Sequence, residues 1–371
     1  MNKKLISLLL SAALAVSMLT VPAFAAEGGE ADAALDETNE VVVTLGDTVT
    51  ASTVEDTDKA AANKTAADKT ETADSAPAAS TEKKQITYVA LGDSIVAGVG
   101  LADVKYAKDS TTLYSVDMSP NFKGYSPDCY VGKVATMMGL DRDHAINLGL
   151  PALTAPDLAD MVRDGQMPKM NMESGCWYKY PEFQDYIRKA DVVSVQIGSN
   201  DAFVPCIVAL GNATNWKSEA LAASVLAGDL RASGSPAAAL IQGIKDMHLT
   251  RDERNATWNL LTSEMGKICD RIYPQTTAAL ISVVQEIRKL NPDCQILLMG
   301  YTDPVPFIPC WHNYFKKLNK FEKQLAETYD LTYVAIPKAK TDLDVHPTIS
   351  GHEYIAKKIV NSIELPEDSA Q

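Results

Sequence analysis

Three short stretches carry groups suited to acyl-transfer chemistry: Gly92-Asp93-Ser94, Gly198-Ser199-Asn200-Asp201 and, near the C-terminus, His346-Pro347. A serine hydroxyl is a weak nucleophile until an imidazole takes its proton, so Ser94 needs a base. His346, held in direction by the proline after it, can serve. The oxyanion that develops on an attacked carbonyl needs preorganised donors. The N–H of Ser94, an N–H from the turn Gly149-Leu150-Pro151-Ala152 and the side-chain amide of Asn200 would supply three. Each piece alone has a plainer reading, the histidine as a cap or packed loop residue and the small-residue turn as an ordinary strand-to-helix connection.

Secondary structure has to bring these groups together. The apolar run 88–91, bounded by Gly92, reads as a central parallel strand covered on both faces, with Ser94 just past its C-terminal end. A short strand over 144–148 leads into the 149–152 turn and a helix opened by Ala155, Pro156 and Asp157. The run 190–198 is the clearest central strand and ends directly in Ser199, Asn200 and Asp201. Strands over 295–300 and 332–336 follow. Helices are expected over 125–140, starting near Ser126 or Asp128 with Gly139 as C-cap, over 277–290 and 313–328, and from Gly351 onward. Alternation of this kind predicts an α/β protein with a parallel sheet, whose C-terminal strand ends form the ligand edge. The stretch 202–275 is too long for a simple connection, and helical patterns at 220–230 and 237–247 predict an inserted helical subdomain near the site. Residues 101–122 read as a loop over the site. Trp177, Tyr178 and Tyr180 lie in an irregular stretch, as a substrate wall or a packed loop.

Composition sets the remaining bounds. Residues 1–25 read as a secretory signal peptide, with Lys3 and Lys4, an apolar run and Ala23-Phe24-Ala25 as cleavage site. Residues 26–84 hold 14 acids, 5 lysines and no aromatic residue, so they read as a disordered acidic linker. The folded domain is expected over 85–365, followed by a tail at 366–371. A net charge of −14 argues against nucleic acid or an anionic membrane as partner. The expectation is a secreted, extracellular monomer without a membrane span after signal cleavage. Six cysteines permit up to three disulfides, and the absence of a CxxC spacing speaks against a cysteine-built zinc site. No metal or cofactor is expected.

Together and in this order, the motifs Gly92-Asp93-Ser94, the Asn147 loop, Gly198-Ser199-Asn200-Asp201 and His346-Pro347 with Gly351 resemble the SGNH hydrolase superfamily of GDSL esterases and lipases, over residues 86–363. The resemblance implies a three-layer α/β/α flavodoxin-like fold with the helical insertion after the third motif. It also implies a metal-independent ester hydrolase, with Ser94 as nucleophile, His346 as base and Asn200 as oxyanion donor. No GxSxG elbow occurs, which speaks against the α/β-hydrolase scaffold. Two positions depart from the family pattern. The oxyanion glycine of its second block falls on Ala152, where little loss is expected unless the turn needs positive φ, and Gly149 is the fallback donor. The triad aspartate falls on Leu343. Asp344, or Asp342 as the alternative, would then orient His346, or a backbone carbonyl would do so and leave a Ser/His dyad. Small-molecule or polysaccharide esters, such as O-acetyl carbohydrate, are one substrate class and acyl lipids another. Trp177, Tyr178, Trp216 and Trp311 are candidates to stack on sugars. A binding protein on a degenerate scaffold is the alternative from outside the enzymes.

Overall fold

Five short apolar runs become strands because both faces of each are covered. In a computed structural model, which describes residues 85–104, 122–226, 229–304, 309–341 and 346–364, the first three are buried along their whole length. They are β1 (Tyr88–Gly92), β2 (Ala145–Gly149), β3 (Val192–Gln196), β4 (Gln295–Met299) and β5 (Thr332–Val334). All pairings are parallel, in the order β2-β1-β3-β4-β5. This is the flavodoxin-like order, in which the strand sequence reverses beside β1 and opens a crevice there. β1 is tied to its neighbours in register, Gly92 facing Gly149 on one side and Gln196 on the other.

The helices, in chain order, are α1 (Ser94–Ala97), α2 (Tyr130–Met138), α3 (Ala155–Asp164), α4 (Phe183–Arg188), α5 (Ser199–Ala213), α6 (Glu219–Leu226), α7 (Asp229–Ala232), α8 (Pro236–Asp246), α9 (Arg251–Asn259), α10 (Met265–Leu290), α11 (Pro309–Thr328) and α12 (Ile349–Val360). A π-helical turn, Leu260–Glu264, joins α9 to α10. α2 packs on α12, while α3, α10 and α11 pack side by side. Right-handed crossovers put these two groups on opposite faces, which makes three layers.

Several boundaries differ from the sequence expectation, each for a local reason. α2 starts at Tyr130, not near Ser126 or Asp128, because Ser126 Oγ accepts from Asp128 N at 3.1 Å and holds 126–129 in a turn. The helix is then capped by Cys129 Sγ and by His352 Nδ1, which accepts from Tyr130 N at 3.2 Å. Gly139 closes it in the left-handed conformation, as expected. α10 starts at Met265 and not at Thr277, running straight through Pro274. Tertiary packing against α3, α5 and α11 outweighs the helix-breaking cost of that proline, about 3 kcal/mol in an isolated helix. Between β3 and β4 the described residues are almost wholly helical. All six cysteines are thiols. Among the described residues no helix is long and apolar enough to cross a membrane. The expected signal peptide, acidic linker and tail lie outside the described residues, as does most of the expected loop over the site.

Candidate active site

Ser94 is the first residue of α1, and the turn into that helix is set by Asp93. The Asp93 carboxylate caps the helix by accepting from Ile95 N at 2.9 Å. Its other oxygen accepts from Ser199 Oγ at 2.7 Å and from Tyr301 Oη at 2.9 Å. One buried carboxylate thus joins the ends of β1, β3 and β4. Burial pushes its pKa above the usual aspartate value, against the pull of its three donors.

Asn147 performs the same service from β2. Its Nδ2 donates to Val96 O at 2.8 Å in α1, while its Oδ1 accepts from Gly149 N at 2.9 Å. Leu150 N donates to Gly92 O at 2.9 Å, so the turn after β2 runs alongside the turn after β1.

On this frame, Ser94 Oγ lies 3.0 Å from His346 Nε2, and both residues are buried, 5% and 1% exposed. His346 is held from behind by the start of α12, where Thr348 Oγ1 accepts from Gly351 N at 3.1 Å and Thr348 N donates to Lys340 O at 2.8 Å. The Ser94 N–H, at the first position of its helix, has no intrahelical acceptor. Asn200 Nδ2 donates one hydrogen to Leu153 O at 2.9 Å, which ties α5 to the turn after β2. Its second hydrogen has no acceptor among the described residues, and Asn200 Oδ1 is buried without a partner there.

Two sequence expectations need correction. Gly149 is not a spare donor, because its N–H is taken by Asn147 and it is the last residue of β2. Its lack of a side chain serves packing instead, since a Cβ there would meet Ala97 N at 2.3 Å. Ala152 does sit in the left-handed region, at φ 60°, so the turn has the positive φ on which the expectation of little loss depended. Its N–H has no acceptor among the described residues. Asp342 and Asp344 lie outside the described residues.

Of the aromatic candidates, Trp311 is fully buried and Trp177 is half exposed. Tyr178 packs under the 149–152 turn, donating to Pro151 O at 2.8 Å. Tyr301 entered the site without being singled out, and Ser199, named in its motif, had been given no role. The signal for Tyr301 was available, since it follows β4 as Asn200 follows β3. Beside Thr154 and Asp201 a cleft of about 630 Å³ opens, lined by polar groups including Asp157, Asp160, Asn171, Glu173, Arg271 and Gln275.

The fold and this edge define an α/β protein with a serine–histidine pair at the C-terminal ends of a parallel sheet. Residues 90–354 match the model of the GDSL-like Lipase/Acylhydrolase family, and the chain belongs to that family. A search of curated proteins returned no match. Similar solved structures include a lipase from a goat rumen metagenome, 15% identical, covering 75% of this chain and 97% of that one, with a TM-score of 0.43. A phospholipase A1 from Streptomyces albidoflavus is 15% identical, covering 75% and 100%, also at 0.43. A carbohydrate acetylesterase from Sinorhizobium meliloti is 13% identical, covering 75% and 97%, at 0.39.

Proposed function

We propose that the chain is a secreted serine ester hydrolase that removes short acyl groups, O-acetyl above all, from carbohydrate. The observation that carries the catalytic part is the 3.0 Å contact between Ser94 Oγ and His346 Nε2, groups 252 residues apart in the sequence. A serine and an imidazole buried together at a sheet edge, with N–H donors that have no acceptor among the described residues, have the parts needed for acyl transfer.

In this mechanism the Ser94 hydroxyl donates to His346 Nε2, which takes the proton as Oγ attacks the ester carbonyl carbon. Negative charge moves to the carbonyl oxygen, where the N–H groups of Ser94 and Ala152 and the free hydrogen of Asn200 Nδ2 stabilise it. The intermediate collapses, the alkoxide leaves with the proton from His346, and the acyl group stays on Ser94. Water, deprotonated by His346, then attacks the acyl-enzyme and releases the carboxylic acid. Asp344, or Asp342, holds His346 in the correct tautomer.

Support for a hydroxyl-rich alcohol comes from the cleft beside Thr154 and Asp201, where Asp157, Asp160, Asn171, Glu173 and Arg271 stand among Met170, Met172 and Ile272. Such a surface suits a sugar better than a long acyl chain. The extracellular address rests on residues 1–25.

The purified chain is expected to hydrolyse p-nitrophenyl acetate, and Ser94→Ala to lose at least about 10³-fold in kcat/KM with an unchanged circular dichroism spectrum. Equal rates for the two proteins would overturn the enzyme reading in favour of a binding protein. In an acetate-to-palmitate series the rate is expected to fall with chain length. A preference for palmitate would move the substrate class to lipid.

A further inference from the structure

Three of the six cysteines meet where α5, α10 and α11 pack together. Cys269 on α10 neighbours Cys206 on α5 and Cys310 on α11, each of which acts on its titration. The register of the helices accounts for both neighbours. α10 and α11 each descend from the C-terminal edge of the sheet, so they run parallel, and residues one turn beyond the cysteines also meet. Tyr273 and Tyr314, four positions after Cys269 and Cys310, face each other edge-on with ring centroids 6.2 Å apart. α5 is tied to α10 by Thr276 Oγ1, which donates to Asp201 Oδ1 at 3.0 Å. The remaining cysteines have other partners, Asn147 and Gly132 for Cys129, Ser174 for Cys176 and Asn291 for Cys294. Among the described residues no group of three or more His, Cys, Asp and Glu is arranged to hold a metal ion.

We propose that Cys269 and Cys310 form a disulfide under oxidising conditions, clamping α10 to α11, while Cys206 stays a thiol against Cys269. Access decides between the two pairs. Cys310, second residue of α11, is partly exposed, whereas Cys269 is nearly and Cys206 wholly buried. A disulfide-bearing oxidant, such as glutathione disulfide or a thiol–disulfide oxidoreductase, therefore reacts first at Cys310. The Cys310 thiolate attacks one oxidant sulfur, releases the other as a thiol, and leaves a mixed disulfide. The Cys269 thiolate then attacks the Cys310 sulfur and expels the second oxidant thiol. Two protein thiols become one disulfide and the oxidant disulfide becomes two thiols, with the protons of Cys269 and Cys310 passing to the leaving thiolates. The neighbouring Cys206, with burial, pushes the Cys269 thiol up against the opposing pull of Cys310, while Cys269 and burial push the Cys310 thiol up, so the reaction speeds up as pH rises.

The test treats the reduced full-length chain with glutathione disulfide, then denatures it and alkylates it without reduction. The expected result is alkylation at four of the six cysteines and a cross-linked peptide pair joining Cys269 to Cys310. Cys206→Ser should keep that cross-link and Cys310→Ser should leave every remaining thiol alkylated. The oxidised protein should also melt at a higher temperature than the reduced one, a difference that Cys269→Ser removes. Alkylation of all six cysteines, or a link from Cys269 to Cys206 in either the parent or the Cys310→Ser chain, would overturn the proposal.

Discussion

At φ 60°, Ala152 holds a left-handed backbone that costs an L side chain about 1–2 kcal/mol. The turn after β2 keeps it because Leu150 N is bonded to Gly92 O and Leu153 O to Asn200, which leaves the chain between them little choice of path. Replacement by glycine removes that strain at a smaller cost in unfolded-state entropy. Ala152→Gly is therefore expected to raise stability by up to about 1 kcal/mol, read from the urea midpoint, with ester turnover retained. A lower midpoint would show that the alanine methyl, which is buried, contributes more through packing than the turn loses through strain. The same residue marks a limit of sequence reading. That an N–H sits in this turn was legible from Gly149 to Ala152, whereas φ depends on two hydrogen bonds to residues about 50 positions away or more.

Among the elements, α1 is the one whose placement matters most, since four residues carry Ser94 and are fixed from three strands. Asp93 ties its start to Ser199 and Tyr301, Asn147 ties its end to β2, and Gly149 lets its backbone approach. In Gly149→Ala the new methyl meets Ala97 N at 2.3 Å and Val96 C at 2.7 Å, both backbone atoms that cannot rotate aside. α1 must then shift and Ser94 with it. The variant should lose roughly 2 kcal/mol of stability by overpacking and most of its ester turnover, measured by urea unfolding and by kcat on a short acyl ester. Retention of both would show that α1 can move without disturbing the site. The strands were legible because short, mostly apolar runs ended at polar residues. Helix starts were less so, as α2 and α10 show, because a serine turn and a tolerated proline act through neighbours that periodicity does not register.

For the whole molecule, the pH dependence of stability should carry the signature of Asp201. This carboxyl is buried between α3, α5 and α10, accepting from Ala155 N at 2.9 Å and from Thr276 Oγ1. Burial raises its pKa from 3.8 to about 7, with Asp157 adding to the shift and the two donors opposing it. The native state thus holds this proton more tightly than the unfolded chain. Its contribution is fully present below pH 3.8, is lost as pH rises to about 7, and is level above that. In Asp201→Asn the carbonyl can accept from Ala155 N and the amide donate to Thr276 Oγ1. That variant should lose less stability than the parent between pH 4 and pH 7, by on the order of 3 kcal/mol in urea unfolding across the window. Parallel curves for the two proteins would place the Asp201 pKa in the ordinary carboxylate range. By itself the sequence determined the α/β class, the strand ends and the residue types that gather there, because buried strands and their polar termini are written in local patterning. Only the tertiary structure decided that Ser94 meets His346, that Gly149 packs instead of donating, and that Tyr301 joins Asp93. It also decided that cysteines on three separate helices stand next to one another. Each of these depends on sheet order and helix register, which set distances between residues far apart in the chain.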